Sequence, residues 1–267
     1  MELLPSGAAF DAVADRFDAL FDPWLSVAAQ RAVVREELLR AFPHGSRLLE
    51  LGGGTGTDAA WMIERGRNVL LTDASPAMVR AAARKIGDAR AEVIAAEGLA
   101  ALTARGERFD GAYSNFAALN CVSDLTPVGQ ALAGLVRPGG EVLLVVFGCF
   151  SPGEMLTEAL RGRWRNCLRR LERGDAAASL QGRPFTVRYH RRGDIGRAMA
   201  PAFRLKATKA VGLFVPPSAA EPWISRHPRL LAWLAAADRL AAGGLAPFGD
   251  HALYRFQRVE GATWPPS

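Results

Sequence analysis

A glycine-rich turn after a short apolar strand constrains the fold of this chain more than any other part of its sequence. Residues 47–51 predict a strand, which runs directly into the stretch 50–56, read as ELGGGTG. Glycine lets the main chain turn tightly and lets a ligand approach the backbone more closely than a Cβ would allow. A helix is predicted to begin at Thr57 or Asp58. This order of elements indicates a ligand-binding turn at the carboxyl end of a strand.

Alternating elements continue along the chain. In the first half, strands and helices are expected in turn over residues 68–72, 75–86, 91–95, 109–114, 125–136 and 141–147. Nearly continuous apolar strands that alternate with helices favour a parallel sheet covered on both faces. The second half is less regular, with elements expected over residues 154–173, 185–189, 194–199, 203–214, 219–240 and 251–259. The pattern as a whole predicts an α/β protein.

Composition excludes several classes of protein. A chain of 267 residues with 49% hydrophobic and 22% charged residues supplies a full core, which excludes disorder as its main state. The longest apolar run, residues 142–150, is too short to span a bilayer, and the first residues lack a basic leader, so we expect no transmembrane segment and a cytoplasmic protein. Three cysteines and four scattered histidines indicate neither a disulfide framework nor a metal site.

The positive charge is concentrated in one segment. Residues 151–197 contain eleven arginines and five acidic residues, so this segment accounts for the whole net charge of +6. Such a field near a binding site would favour an anionic small molecule, or one delivered from an anionic membrane surface. The alternative is a solvated outer face that serves solubility, which is the usual explanation of such runs.

Several motifs together resemble the class I S-adenosylmethionine (SAM) dependent methyltransferases over about residues 8–150. The acidic residue and G-x-G-x-G pattern of that family's first motif are matched in full by residues 50–56. Further matches are Asp73 at the end of the second strand, AEG at 96–98, FDGAYSN at 109–115 and RPGG at 137–140. The two FD pairs at residues 10–11 and 17–18 are similar to the aromatic-Asp pairs with which many small-molecule members begin.

The resemblance implies a fold and a division of the chain. The implied fold class is α/β, a Rossmann-like, doubly wound, mostly parallel seven-stranded sheet with helices on both faces and a helical cap. One domain with four parts is expected: an N-terminal helical lid over 1–44, a SAM-binding core over 45–150, an Arg-rich cap insertion over 151–192 and a C-terminal completion over 193–267. The last part includes a helical insertion at about 216–249.

The resemblance also implies the residues that bind SAM. Glu50 is a plausible partner of the methionine ammonium group, and Asp73 is expected to bind the ribose hydroxyls. Asp73 could also cap the following helix, and Met78 could be a core residue instead of an adenine contact. The full expected set is Glu50, Gly52, Gly53, Gly54, Gly56, Asp73, Ala74, Met78, Ala96, Glu97, Gly98, Ser114 and Asn115.

Methyl transfer to a small-molecule acceptor by in-line displacement is the expected function. The methyl group of SAM is already activated, so orientation of the acceptor can supply much of the rate, and we assign no catalytic residue. Candidate acceptor contacts are Phe17, Asn120, Tyr189 and His190. We predict no metal ion. The sequence leaves open the acceptor, the methylated atom, the need for a general base and the oligomeric state.

Two alternative functions follow from the same residues. A dinucleotide-dependent oxidoreductase using NAD(P) is disfavoured because Thr57 stands at the sixth position of G-x-G-x-x-G counted from Gly52. A basic nucleic-acid-binding or RNA-modifying protein is suggested by the charged segment. Binding of nucleic acid is disfavoured because the Arg-rich stretch of that segment, residues 154–173, lacks interleaved aromatic residues apart from Trp164. Base methylation is disfavoured because SNFA at residues 114–117 departs from the N/D-P-P-Y/F motif of enzymes that methylate base amino groups.

Overall fold

The architecture is built around one mixed sheet. The computed structural model describes residues 3–172, 174–241 and 245–261. Its strands are β1 (Arg47–Leu51), β2 (Asn68–Asp73), β3 (Ala91–Val93), β4 (Phe109–Ser114), β5 (Val136–Phe147), β6 (Asp175–Leu180), β7 (Arg183–Arg188), β8 (Phe203–Val211) and β9 (His251–Arg258). Within the described residues, seven of them form a sheet in the order β3-β2-β1-β4-β5-β9-β8. Strands β1 to β5 run parallel, and β9 is antiparallel to both of its neighbours.

Helices cover both faces of this sheet. They are α1 (Ser6–Asp11), α2 (Phe17–Phe21), α3 (Leu25–Ala41), α4 (Thr57–Glu64), α5 (Pro76–Ile86), α6 (Ala100–Ala104), α7 (Thr126–Leu135), α8 (Pro152–Leu160), α9 (Trp164–Cys167), α10 (Arg192–Met199) and α11 (Pro228–Ala241). Side chains of β1 alternate between two cores, since Leu49 and Leu51 pack with α6, α7 and α10, whereas Leu48 packs with α3, α4 and α5. The sheet is therefore doubly wound, as the sequence predicts.

Local signals place the elements next to the glycine turn. Ser75 caps α5 by accepting a hydrogen bond from the N–H of Met78 at 3.1 Å, and Pro76 fills the first helical position, where no N–H donor is needed. Strands β1 and β4 begin and end at the predicted residues. These elements fix the carboxyl ends of β1, β2 and β4 at the same edge of the sheet.

The cap differs from the expected helical insertion. In place of one helix over 154–173, it contains α8, α9 and a short 3₁₀ turn, with Gly162 at φ +70° ending the first helix, and Arg173 lies outside the described residues. A two-stranded antiparallel hairpin of β6 and β7 follows, of which only the second strand was predicted. Alanine has little preference for strands and occupies three of the six positions of β6, so the sequence gives no strand signal there.

The helix in the C-terminal insertion begins later than predicted. The helix expected over residues 219–240 starts at Pro228, and two 3₁₀ turns, Ser218–Ala220 and Ile224–Arg226, precede it. Proline lacks the N–H donor and fits only the first turn of a helix, which explains the start at Pro228. None of the helices in the described parts of the chain is long and apolar enough to cross a membrane.

Two glycine substitutions should change stability in opposite directions. A Cβ at Gly111 in β4 would lie 2.3 Å from Phe42 Cε1 and 2.7 Å from the Glu141 carbonyl oxygen. Gly111→Ala should therefore lower the free energy of unfolding by about 1–3 kcal/mol through overpacking. Gly196→Ala in α10 meets no atom within 4 Å and should raise that free energy by about 0.5–1 kcal/mol. Urea unfolding followed by circular dichroism measures both, and equal midpoints would contradict this packing.

Candidate functional site

The glycine turn lies at the carboxyl end of β1 and is tied to β2. Gly52 and Gly53 donate their N–H groups to the carbonyl oxygen of Thr72, at 2.8 and 3.1 Å. Gly52 and Gly54 have φ of +64° and +55°, a left-handed backbone conformation that residues other than glycine rarely adopt. A Cβ at Gly54 would meet no atom within 4 Å. The turn therefore presents open backbone to a ligand.

Asp73 connects the end of β2 to this turn. Its carboxylate accepts the N–H of Gly54 at 2.9 Å and the N–H of Ser75 at 2.8 Å. Burial raises the pKa of Asp73, and these two hydrogen bonds hold that pKa lower than burial alone would. A carboxylate offers about four lone-pair positions, so Asp73 retains capacity for two more donors.

A buried carboxylate lies below the turn. Glu50 is 2% exposed, and no residue in the described ranges donates a hydrogen bond to its Oε2. Burial raises the pKa of Glu50 well above its ordinary value, the Asp58 carboxylate raises it further, and the neighbouring Tyr113 hydroxyl lowers it by a smaller amount. Arg35 Nε at 2.8 Å and Asn115 Nδ2 at 2.7 Å hold Asp58. An unpaired buried carboxylate is costly, so a cationic group of a ligand would be stabilised here.

These groups open into one cavity of about 730 Å³. Small-molecule and cofactor sites commonly have about 300–1,000 Å³. Most of the residues predicted to bind SAM line this cavity, namely Glu50, Gly52, Gly53, Gly54, Asp73, Ala74, Met78, Ala96, Glu97 and Asn115. Of the predicted acceptor contacts, Phe17 and Tyr189 line it as well. The structure thus brings residues from both sets into one space.

Three other residues of the predicted SAM set do not line the cavity. The hydroxyl of Ser114 donates to the carbonyl oxygen of Leu51 at 3.0 Å and supports the end of β1 from below. Gly56 immediately precedes α4 and packs so closely on α5 that an added Cβ would lie 3.0 Å from the Ala82 Cβ. Gly98 ends a 3₁₀ turn whose first two residues do line the cavity.

Asn120 and His190 are held by the backbone and likewise do not line the cavity. Asn120 Nδ2 donates to the carbonyl oxygen of Arg188 at 2.6 Å, and its Oδ1 accepts the N–H of Phe147 at 2.9 Å. His190 Nε2 lies 2.8 Å from the carbonyl oxygen of Val122, so this nitrogen carries the proton. Burial lowers the pKa of His190. Both side chains fasten the hairpin to the segment that follows β4.

Aromatic side chains that the sequence analysis did not assign to the site form much of the cavity wall. These are Phe10, Phe21, Phe116, Phe147 and Phe185. Phe10 lies between Phe17 and Phe185, with ring centroids 6.2 and 5.5 Å away. Phe116 and Phe147 follow β4 and end β5, so their position at strand ends was a signal that could have identified them. The others face the cavity only because the N-terminal helices and the hairpin meet above it.

The N-terminal helices α1 and α2 are fastened over the cavity by their aspartates. Asp11 Oδ1 accepts hydrogen bonds from the Ser75 hydroxyl at 2.5 Å and the Ala77 N–H at 2.9 Å. Asp18 accepts from the Thr55 hydroxyl at 2.5 Å and from Lys85 Nζ at 2.6 Å. In each FD pair the phenylalanine lines the cavity and the aspartate binds the core. We call α1 and α2 the lid.

A buried ionic cluster supports the far wall of the cavity. Arg170 is 8% exposed and pairs with Glu154 and with Asp250, whose Oδ1 is 2.7 Å away. The guanidinium carbon of Arg170 lies 5.0 Å from the ring centroid of Phe147 and 5.8 Å from that of Tyr189. One arginine of the positively charged segment thus orients two aromatic residues of the cavity wall.

The core that carries this site matches a known family. Residues 48–140 match the family described as "Methyltransferase domain". These residues include β1, the glycine turn and Asp73. This part of the chain is similar to methyltransferase domains. This finding confirms the predicted resemblance to class I SAM-dependent methyltransferases.

The methyltransferase domain has curated relatives. A demethylmenaquinone methyltransferase of Beutenbergia cavernae is 34% identical over 161 residues, which cover 57% of this chain and 61% of the relative. The ubiquinone/menaquinone biosynthesis C-methyltransferase UbiE of Acidiphilium cryptum is 33% identical over 148 residues, covering 52% of this chain and 57% of the relative. The chain therefore spans about three-fifths of the length of these two relatives.

Solved methyltransferase structures share the fold. One from Mesorhizobium loti aligns with a TM-score of 0.51 at 19% identity, covering 84% of this chain and 96% of that one. Geranyl diphosphate C-methyltransferase from Streptomyces coelicolor A3(2) aligns with a TM-score of 0.52 at 14% identity, covering 86% and 79%. Together with the strand order, these likenesses confirm the predicted Rossmann-like fold class.

Removing the Asp18 anchor should loosen the lid without unfolding the methyltransferase domain. Asp18→Asn loses the ion pair with Lys85, so amide hydrogen exchange in residues 6–21 should become faster while exchange in β1 and β4 stays unchanged. Asp15→Asn is the matched control, because the Asp15 side chain is 95% exposed and pairs only with the exposed Arg84. Equal exchange in both variants would show that Asp18 does not anchor the lid.

Proposed function

We propose that this protein is a SAM-dependent methyltransferase that transfers a methyl group to a small-molecule acceptor by in-line displacement. The buried Glu50 carboxylate below an open glycine turn, whose Oε2 accepts no hydrogen bond from the described residues, is the observation that carries the proposal, because it provides a site for a cationic group beside exposed backbone. The methyltransferase domain match and the names of the curated relatives support the same reaction.

The residues present fit SAM. Glu50 would bind the α-ammonium group, and the open space beside the Gly54 backbone would hold the methionine portion of SAM. Asp73 keeps two acceptor positions for the ribose hydroxyls, and Met78 with Ala96 would flank the adenine ring. When bound, SAM supplies a methyl group on a positively charged sulfur. Thr57 begins α4 where a dinucleotide fingerprint has its third glycine, so the alternative of an NAD(P)-dependent oxidoreductase has weaker support.

The chain contributes orientation and exclusion of water. The lid and the hairpin close over the cavity, so an acceptor would be held against SAM in a largely apolar enclosure. Correct placement of two reactants can supply about 7–11 kcal/mol of a barrier. Burial raises the pKa of the cavity-lining Cys121 thiol to about 11, so it stays protonated. Tyr189 also has a raised pKa because of burial. No residue is assigned as a general base.

The proposed acceptor is a planar aromatic molecule such as a quinol. Phe116, Phe147, Phe185 and Tyr189 line the cavity and can pack on a ring, and both relatives are named for quinone biosynthesis. Arg31 also lines the cavity, with its guanidinium carbon 5.3 Å from the Phe116 centroid, and would favour an anionic phenolate oxygen. A nucleic-acid partner has less support, because Arg169, Arg170, Arg188 and Arg197 of the charged segment pair with carboxylates of the chain itself.

We also propose the expected four-part division as the functional organisation. Its parts are an N-terminal helical part over 1–44, a SAM-binding core over 45–150, an Arg-rich cap over 151–192 and a C-terminal completion over 193–267. Within residues 1–44, α1 and α2 contact the cavity, and α3 contributes Arg31 to its lining while it packs on the sheet through Val34 and Leu38. A cytoplasmic location is proposed because Cys121, Cys149 and Cys167 are free thiols, which are typical of reducing compartments.

Calorimetry and isotope labelling test the proposed reaction. SAM and its demethylated product should bind with micromolar-class affinity, and NAD should bind much more weakly. Incubation with deuterated-methyl SAM and a panel of hydroquinones and other phenols should give a labelled product by mass spectrometry. Comparable binding of NAD, or no binding of SAM at millimolar concentration, would overturn the cofactor assignment. SAM binding without labelling of any aromatic acceptor would overturn the acceptor class alone.

Glu50→Gln should weaken SAM binding while stabilising the free protein. Loss of the charged acceptor should cost about 1.5–3 kcal/mol, or about 10- to 150-fold in Kd. Loss of an unpaired buried carboxylate should raise Tm. Glu92→Gln is the control, since Glu92 pairs with Arg105 at the protein surface. An unchanged Kd, or weaker binding together with a lower Tm, in the Glu50 variant would contradict the assigned role.

The pH dependence of binding gives a further check of Glu50. Its pKa is raised in the free protein, and a bound ammonium group would lower it again, so binding releases a proton. SAM affinity should therefore rise with pH until the free-protein pKa is passed. Calorimetry in buffers of different ionisation enthalpy should detect this proton in the wild type and not in Glu50→Gln. Equal proton release by both proteins would exclude Glu50 as its source.

A further inference from the structure

The acidic side chains of α8 point into the protein. Glu154 and Glu158 are 4% and 5% exposed. Glu154 pairs with Arg169 and Arg170, and Glu158 accepts a hydrogen bond from Asn166 Nδ2 at 2.8 Å. Buried carboxylates need such partners. The arrangement removes negative charge from the outer surface of the helix.

Large apolar side chains point outward from the same region. Leu156, Leu160, Trp164 and Leu168 recur at every fourth residue, and they are 62%, 80%, 71% and 53% exposed. Single exposed leucines are common on protein surfaces, whereas a group of this size usually marks a site of interaction. The burial pattern of α8 is the reverse of that of an ordinary surface helix, because the carboxylates of α8 are buried and its leucines are exposed.

Basic residues accompany the apolar ones. Arg161 and Arg163 lie in the turn between α8 and α9, with side chains 41% and 60% exposed. Their nearest carboxylate, that of Glu158, is 3.8 and 3.9 Å away, near the limit of an ion pair. In the described residues 152–172, Glu172 is the one acidic side chain that is exposed. The outer surface therefore combines apolar and positively charged groups.

This surface adjoins residues that line the cavity. Arg169 lines the cavity and directly follows Leu168 in the chain. Ser218 also lines the cavity, and its 3₁₀ turn, Ser218–Ala220, packs against α8. A molecule bound at this surface would therefore lie next to residues of the cavity wall.

We propose that the outer face formed by Leu156, Leu160, Trp164 and Leu168 with Arg161 and Arg163, the docking face, binds the surface of an anionic phospholipid bilayer. Leucine and tryptophan beside arginine is the composition of segments that insert into the headgroup region. The positive charge is complementary to anionic headgroups. The proposal that the docking face binds a bilayer depends on these residues alone. Its consequence, that an apolar acceptor enters the cavity from the bilayer, rests on the proposed function.

Vesicle sedimentation tests the docking face with the full chain. The wild-type protein should bind phosphatidylcholine vesicles that contain phosphatidylglycerol, bind pure phosphatidylcholine weakly, and be released by added salt. Leu160→Ser/Trp164→Ser and Arg161→Gln/Arg163→Gln should each lower the partition coefficient roughly tenfold. None of these residues lines the cavity, so SAM binding by calorimetry should be unchanged and reports that the variants are folded.

Two matched controls locate the interaction. Trp233→Ser changes a tryptophan of α11 that is 79% exposed, and Arg204→Gln/Lys206→Gln removes two exposed charges from β8. Both should bind vesicles like the wild type. Equal losses in the controls would overturn the location, and absence of wild-type binding would overturn the proposal. Self-association that is lost on Leu160→Ser/Trp164→Ser, without vesicle binding, would instead assign the face to a second copy of the chain. Failure of SAM binding by the wild type would refute the proposed function and leave the vesicle result unaffected.

Discussion

The attachment of the glycine turn to β2 is the interaction on which the rest of the site depends. Three successive N–H groups, those of Gly52, Gly53 and Gly54, donate to Thr72 and Asp73 at the end of β2. The turn cannot move unless that strand end moves with it. Since both strands are paired on both sides within the parallel part of the sheet, Glu50 and Asp73 are held at fixed positions before any ligand arrives. Such preorganisation lowers the ordering that binding would otherwise require.

The lid shows how adjacent residues divide two tasks. In each FD pair the phenylalanine contributes to the cavity wall, while the aspartate binds hydroxyl, ammonium or backbone donors around the turn and the start of α5. Asp18 has a pKa below its ordinary value, because hydrogen bonds from Lys85 and Thr55 outweigh the effect of burial. That anchor is therefore intact above the ordinary aspartate pKa and weakens only as the pH falls through the lowered value.

The positively charged segment serves more than one purpose. Arg170 is buried and supports Phe147 and Tyr189, and Arg169 neutralises Glu154, so these charges act inside the protein. Arg161 and Arg163 remain at the surface beside exposed leucines. Net charge alone cannot distinguish these roles, because a buried pair and a solvated side chain contribute equally to the sum.

The sequence by itself determined the elements around the site and most of the predicted site residues that line its cavity. Glycines at a strand end, Ser75 and Pro76 before α5, and apolar runs in β1 and β4 act through neighbouring residues, so they can be recognised locally. Only the tertiary structure decided that Asn120 and His190 form hydrogen bonds with backbone groups instead of lining the cavity. It also decided that β6 pairs with β7 and that Glu154 faces inward. Asn120 binds a carbonyl 68 residues away, and Arg170 binds a carboxylate 80 residues away. Such contacts depend on which distant segments the fold brings together, and no local pattern of residue types encodes that.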